Sequence, residues 1–187
     1  MRISYDGDGN WPFAFDAEQR ITLFDDALWI DMAVTNRAGR AAPIAFSHHP
    51  YFDAAGAALR FAADTVWINR ADMIPECGEV PMGQFDFASG APVAGRAVDN
   101  CYTGWDGTAL ISWIDRPHML AISASRSLPA TVVYCPLGGD FFCFEPVAHL
   151  TNAINIGDCP APMPFVAPGE RFTASIRMQA LPVPRHP

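Results

Sequence analysis

An all-β fold, a sandwich or barrel, is what this sequence predicts. Helical periodicity is almost absent, and short runs of alternating, β-branched or aromatic residues recur along the chain instead. Pro, Gly and Asp/Asn clusters punctuate those runs at fairly regular spacing, the pattern of many short strands joined by turns. Half of the 187 residues are hydrophobic, enough for a sizeable core in one domain over residues 1–181.

Met1 to Tyr5 is already strand-like and has no leading polar arm, so the chain reads as starting inside a sheet, as an N-terminally truncated sandwich would. The turn at Asp6-Gly-Asp-Gly9 resembles a calcium loop but has no acidic ligand at the later spacing. Residues 19–23 and 27–35 are strands around Asp25-Asp26, and Asn36 to Gly39 is the next turn. Residues 43–51 read as a strand ending at Pro50, and residues 60–69 as another. Residues 70–98, rich in Pro and Gly, form an irregular excursion with short strands. Residues 109–114 and 119–125 make a hairpin across Asp115 to His118. Residues 131–135 and 141–144 flank the turn at Pro136 to Gly139. Pro146 has no N–H for a sheet ladder, so the strand before it ends or meets an edge there. Residues 172–181 close the sheet, and residues 182–187 read as a disordered tail. Open sheet edges are natural places for self-association into a homo-oligomer.

The charge pattern excludes several partners. The formal net charge is −8, there is no lysine, and the twelve arginines are scattered singly. Nucleic acid demands a concentrated basic surface, which this chain lacks. A small neutral ligand such as a sugar suits the pattern better than a strongly anionic one. The five cysteines are odd in number and none is spaced C-x-x-C, so neither a disulfide framework nor a zinc site is expected. No signal-peptide pattern and no apolar run of bilayer-spanning length is seen. The expectation is a reduced, cytoplasmic protein that does not engage membranes.

Two segments carry the chemistry. In residues 43–51, strand alternation puts Ile44, Phe46 and His48 on an apolar face. It puts Ala45, Ser47, His49 and Tyr51 on a small, polar face suited to a cleft. His49 is therefore the cleft imidazole, able to exchange a proton near neutrality. A hydrogen-bonded structural histidine fits the same spacing. Glu145 is a lone carboxylate in the apolar run Phe141 to Val147. Buried, it becomes a better base near neutrality; at an exposed edge, it only deters sheet pairing. Asp99 can accept hydrogen bonds from two sugar hydroxyls, or can serve a turn with Asn100. Tyr102, Trp105 and Trp67 are candidate rings for a pyranose face, or core. His149 can line the same opening as Glu145, a point the spacing does not decide, and His118 reads as solvated in its hairpin turn.

Taken in order, Ser47-His-His-Pro-Tyr-Phe52, Ile74-Pro75, Asp99 to Gly107, Phe142-Cys-Phe-Glu-Pro146 with His149, Asn152 to Asn155, and Pro168-Gly-Glu170 resemble the aldose 1-epimerase (galactose mutarotase) family. The resemblance implies the galactose mutarotase-like β-sandwich (supersandwich) without the family's N-terminal part. It implies interconversion of the α and β anomers of a free aldohexose such as galactose or glucose, with no cofactor and no metal. By similarity Glu145 is the base at the anomeric hydroxyl and His49 the acid at the ring oxygen. Asp99, Tyr51, Trp105 and His149 would bind the sugar. The family's front part supplies a substrate-binding arginine and a further histidine, and no residues here match them. The alternatives are a non-catalytic carbohydrate-binding relic of the family and a hexose-6-phosphate mutarotase. A glycosidase accessory domain ranks lower, because hydrolysis uses paired carboxylates.

Overall fold

The computed structural model describes residues 1–183. Its strands form two facing antiparallel sheets and a small two-stranded ribbon. The larger sheet runs, edge to edge, β1 (Arg2–Tyr5), β2 (Phe15–Leu23), β3 (Ala27–Asn36), β16 (Arg171–Pro182), β12 (His118–Ala124), β11 (Thr108–Trp113), β6 (Ala57–Arg60) and β9 (Ala91–Pro92). The six-stranded sheet runs β5 (Tyr51–Asp53), β14 (Phe141–Val147), β13 (Ala130–Cys135), β10 (Val98–Thr103), β7 (Thr65–Asn69) and β8 (Pro75–Glu79). The ribbon pairs β15 (Phe165–Val166) with β4 (Ala42–Pro43). Among the described residues, no helix is long and apolar enough to cross a membrane.

The main core lies between the two sheets. The large sheet contributes Ile30, Leu59, Ile111, Ile122 and Ile176, and the six-stranded sheet contributes Val66, Tyr102, Val133, Phe142 and Phe144. Phe144 packs edge-on against Phe61 and Trp105, with centroids 5.1 and 5.4 Å away. Truncating such a side chain removes apolar burial and leaves a cavity. Phe144→Ala is therefore expected to cost about 3–5 kcal/mol, read as a lowered denaturation midpoint with an unchanged slope.

Several strands differ from the sequence expectation. Of residues 43–51, only Pro43 and Tyr51 lie in strands, at the ends of β4 and β5. Between them the chain leaves the sheet and keeps one isolated bridge, Ser47 to Val147. The expected strand over 60–69 is two strands, β6 and β7, in opposite sheets, with the chain crossing the core at Phe61. Asp99 and Asn100 stand in β10 rather than in a turn. His118 opens β12. β14 runs through Pro146 to Val147. This is tolerated because β5 pairs with β14 only from Phe141 to Cys143, so the flank beside Pro146 asks for no ladder N–H. Of the expected tail, Pro182 ends β16 and the Val183 N–H donates to the Pro117 carbonyl, while residues 184–187 lie outside the described residues.

Candidate active site

Sheet register builds the site. Phe142 and Phe144 of β14 point into the core, so Phe141, Cys143 and Glu145 take the outer face of the six-stranded sheet. Pairing aligns Asp99, Tyr134, Cys143 and Tyr51 in one row across β10, β13, β14 and β5. The next row on that face is Cys101, Val132 and Glu145. Leu150, Ala153 and Ala161, from the chain after β14, cover the part of this face around Cys101 and Val132. Asp99 and Tyr51 remain exposed.

His49 reaches this face from outside the sheet. The Ser47–Val147 bridge, the His48 N–H donating to the Pro146 carbonyl at 3.3 Å, and the Ala148 N–H donating to the Phe46 carbonyl at 3.3 Å tie residues 46–48 to the end of β14. The tether brings His49 Nε2 to 3.2 Å from Glu145 Oε1. The imidazole stacks on Tyr51, centroids 4.9 Å apart and planes within 16°, and Tyr51 in turn packs on Phe141 at 5.0 Å. The carboxylate is nearly buried, at 10% side-chain exposure, while the imidazole is 49% exposed.

Burial is the main influence on the charge of Glu145 and raises its pKa above the ordinary value. The His49 charge pulls it back and the Asp99 charge pushes it further up. Burial likewise raises the pKa of Asp99. His48 is half-buried, and burial followed by the neighbouring His49 charge lowers its pKa, so it favours the neutral form. These directions have a consequence for stability. A folded pKa above the unfolded one means that the protonated carboxyl favours folding. Its contribution is complete below the unfolded value, near 4.5, and is lost as pH rises through the raised folded value. Glu145→Gln removes this titration. The stability of wild type relative to Glu145→Gln is therefore expected to fall as pH rises through that window, measured by denaturant unfolding at a series of pH values.

The structure brings together His49, Glu145 and Tyr51, with Asp99 on the same face. Trp105 is a correction to the sequence expectation. It is 6% exposed inside the main core, and its indole N–H donates to the Thr108 carbonyl at 2.7 Å, so its ring faces no cleft. Tyr102 is also fully buried, with its hydroxyl donating to the Phe85 carbonyl at 3.1 Å. Trp67 is half-buried against the second apolar cluster and donates to Thr103 Oγ1 at 3.0 Å. His149 lies just past β14, part-buried, and its Nδ1 donates to the Leu150 carbonyl at 2.7 Å.

Sequence reasoning missed Cys143 and Tyr134 as neighbours of the pair. Cys143 is fully buried, and burial, reinforced by the nearby Glu145, Cys135 and Asp99 charges, pushes its thiol up to about 12. The signal for Cys143 was present, since it lies two residues before Glu145 on one strand. Tyr134 is placed only by pairing between strands. One ligand atom each from His49, Cys143 and Glu145 lies within 4.8 Å of the others. Beside Asp99, a cavity of about 370 Å³ is lined by Asn69, Arg70, Met73, Tyr134 and Leu137. A larger cavity of about 670 Å³ lies over β2, β3 and β16, between Glu18, Arg20, Asp31 and Arg171, and includes neither His49 nor Glu145.

The arrangement supplies a proton acceptor and a proton donor side by side, with a further carboxylate on the same sheet face. A model of one protein family, aldose 1-epimerase, matches residues 1–179. The uncharacterized protein YphB of Escherichia coli K12 is 24% identical over 180 residues, covering 89% of this chain and 60% of its own length. Among solved structures, a candidate aldose 1-epimerase from Escherichia coli K12 superposes with a TM-score of 0.86 at 21% identity, over 97% of this chain and 65% of that one. A galactose mutarotase-like protein from Clostridium acetobutylicum does so with a TM-score of 0.86 at 13% identity, over 97% and 62%. The fold is thus that of galactose mutarotase-like proteins, and the chain spans about three-fifths of the length of these relatives. By its match over residues 1–179, the chain belongs to the aldose 1-epimerase family.

Proposed function

We propose that the chain catalyses mutarotation of a free, neutral aldohexose such as galactose or glucose. The observation that carries this is the 3.2 Å approach of His49 Nε2 to a nearly buried Glu145 carboxylate at the end of a rigid strand. Ring opening of a pyranose moves two protons at two oxygens bonded to the same carbon. One is lost from the anomeric hydroxyl and one is gained by the ring oxygen. A base and an acid in adjacent positions match that demand. Glu145 takes the anomeric proton, and its raised pKa makes it the stronger base. Protonated His49 delivers a proton to the ring oxygen as the bond from that oxygen to the anomeric carbon breaks. The aldehyde then turns about its first carbon–carbon bond. Reclosure on the other face returns both protons, by the same groups in reversed roles.

Asp99 accepts hydrogen bonds from hydroxyls remote from the anomeric carbon, and Tyr51 holds the imidazole from behind. Arg70, beside Asp99, is engaged by Asp72 at 2.7 Å, which favours a neutral sugar over a hexose 6-phosphate. A reducing compartment suits the five free thiols. Interconversion of the α and β anomers, followed by NMR exchange between their H1 signals in equilibrated galactose and glucose, tests the proposal directly. Faster interconversion with the chain present supports it, and interconversion at the uncatalysed rate contradicts it.

One observation favours a second reading. His49 and Tyr51 are 49% and 65% exposed, so little covers the site in this chain. A sugar-binding module without turnover would show saturable sugar binding that Glu145→Gln leaves unchanged.

A further inference from the structure

We propose that His49, Cys143 and Glu145 form a three-ligand site for one thiophilic divalent cation of the Zn²⁺ class, and that the bound cation blocks the proton-transfer pair. The second half rests on the proposed mutarotase reading, whereas the binding half does not. Three features support the site. The three ligand atoms all lie within 4.8 Å of one another, and the nitrogen–oxygen pair is 3.2 Å apart. Zinc bonds of about 2.3 Å to sulfur and about 2.0–2.2 Å to nitrogen and oxygen require ligand atoms roughly 3–4 Å from each other. The cluster therefore needs a small inward shift at most.

The donor set also selects the ion. Thiolate and imidazole favour Zn²⁺ over Mg²⁺ or Ca²⁺, which prefer oxygen. Finally, the ligands are held in advance. Cys143 and Glu145 share one face of β14, and His49 is fixed by its backbone tether and its stack on Tyr51. The half-exposed side of the imidazole gives the ion its entry and leaves a fourth position for water. Cys143 is a free thiol, and its proton, with the one carried on His49 Nε2, passes to solvent as the sulfur–metal and nitrogen–metal bonds form. A cation seated there occupies the Glu145 carboxylate and the His49 Nε2 lone pair together, so neither can serve a sugar.

The test is a titration of the metal-free chain with Zn²⁺ against a chromophoric chelator, paired with Co²⁺ as a spectroscopic substitute. The expected result is one Zn²⁺ per chain and a thiolate-to-cobalt charge-transfer band. Cys143→Ala should lose the band and bind Zn²⁺ about 10- to 100-fold more weakly, a loss at least as large as that of an outer-shell partner. Cys77→Ser should keep both. It controls for the exposed thiol whose sulfur lies 4.0 Å from Glu79 Oε1. Wild type without the band, unchanged binding in Cys143→Ala, or loss in Cys77→Ser would overturn the site. Because the wild-type band needs no variant, a misfolded Cys143→Ala leaves the site testable. Zn²⁺ should also slow anomer exchange by wild type and spare Cys143→Ala. Full exchange by zinc-saturated wild type would overturn the blocking role. Exchange absent even without zinc would count against the mutarotase reading, with the metal titration still deciding the site.

Discussion

Glu145→Gln is expected to reduce mutarotation by about 10²–10⁴-fold, the span that one positioned acid–base group contributes, while the chain stays folded. The amide keeps the size and planarity of the carboxylate but accepts protons far more weakly. Folding should tolerate the change, because burial opposes the charge that is removed. Thr131 Oγ1 donates to the backbone carbonyl of Glu145 at 3.1 Å, and the substitution leaves that bond in place. Circular dichroism with the denaturation midpoint separates lost chemistry from lost structure. A folded variant at full rate would remove Glu145 from the mechanism.

His49→Asn should produce the second large loss, again about 10²–10⁴-fold, with a different cause. Asparagine retains a hydrogen-bonding group but carries no exchangeable charge near neutrality, so the ring oxygen loses its acid. His48→Asn is the matched control. His48 is half-buried and favours the neutral form, so its replacement should act mainly on stability. Comparing rates and midpoints for both variants tests whether the imidazole beside Glu145 is the one that works. A slow His48→Asn beside a normal His49→Asn would invert the assignment.

Much of the site was legible because it depends on alternation along single strands. The period of two in Phe141 to Val147 separates core phenylalanines from Cys143 and Glu145, and those residues do occupy opposite faces. The same reasoning chose His49 over His48, and His49 is the imidazole at Glu145. That success came through a different local structure. Residues 44–50 are held by the Ser47–Val147 bridge and by backbone bonds at Ile44, Phe46 and His48 rather than by a continuous strand. Pro43 and Pro50 bracket the segment, and neither can donate to a ladder.

What was hidden depends on pairing between distant segments. Tyr134 becomes a neighbour of Asp99 and Cys143 only through the register of β10, β13 and β14. Trp105 had the composition of a sugar platform, yet its neighbour in space is Phe144, thirty-nine positions away, and the Thr108 carbonyl satisfies its N–H. Residues 60–69 concealed a crossing between sheets, since an apolar run through a core looks the same as a run along a strand.

Polarimetry on freshly dissolved α-D-galactose and α-D-glucose, with the 187-residue chain beside its Glu145→Gln variant, tests the central claim most directly. The account predicts that wild type speeds the drift to the equilibrium rotation and that the variant follows the uncatalysed curve. A folded wild-type chain that follows the uncatalysed curve for both sugars would contradict it.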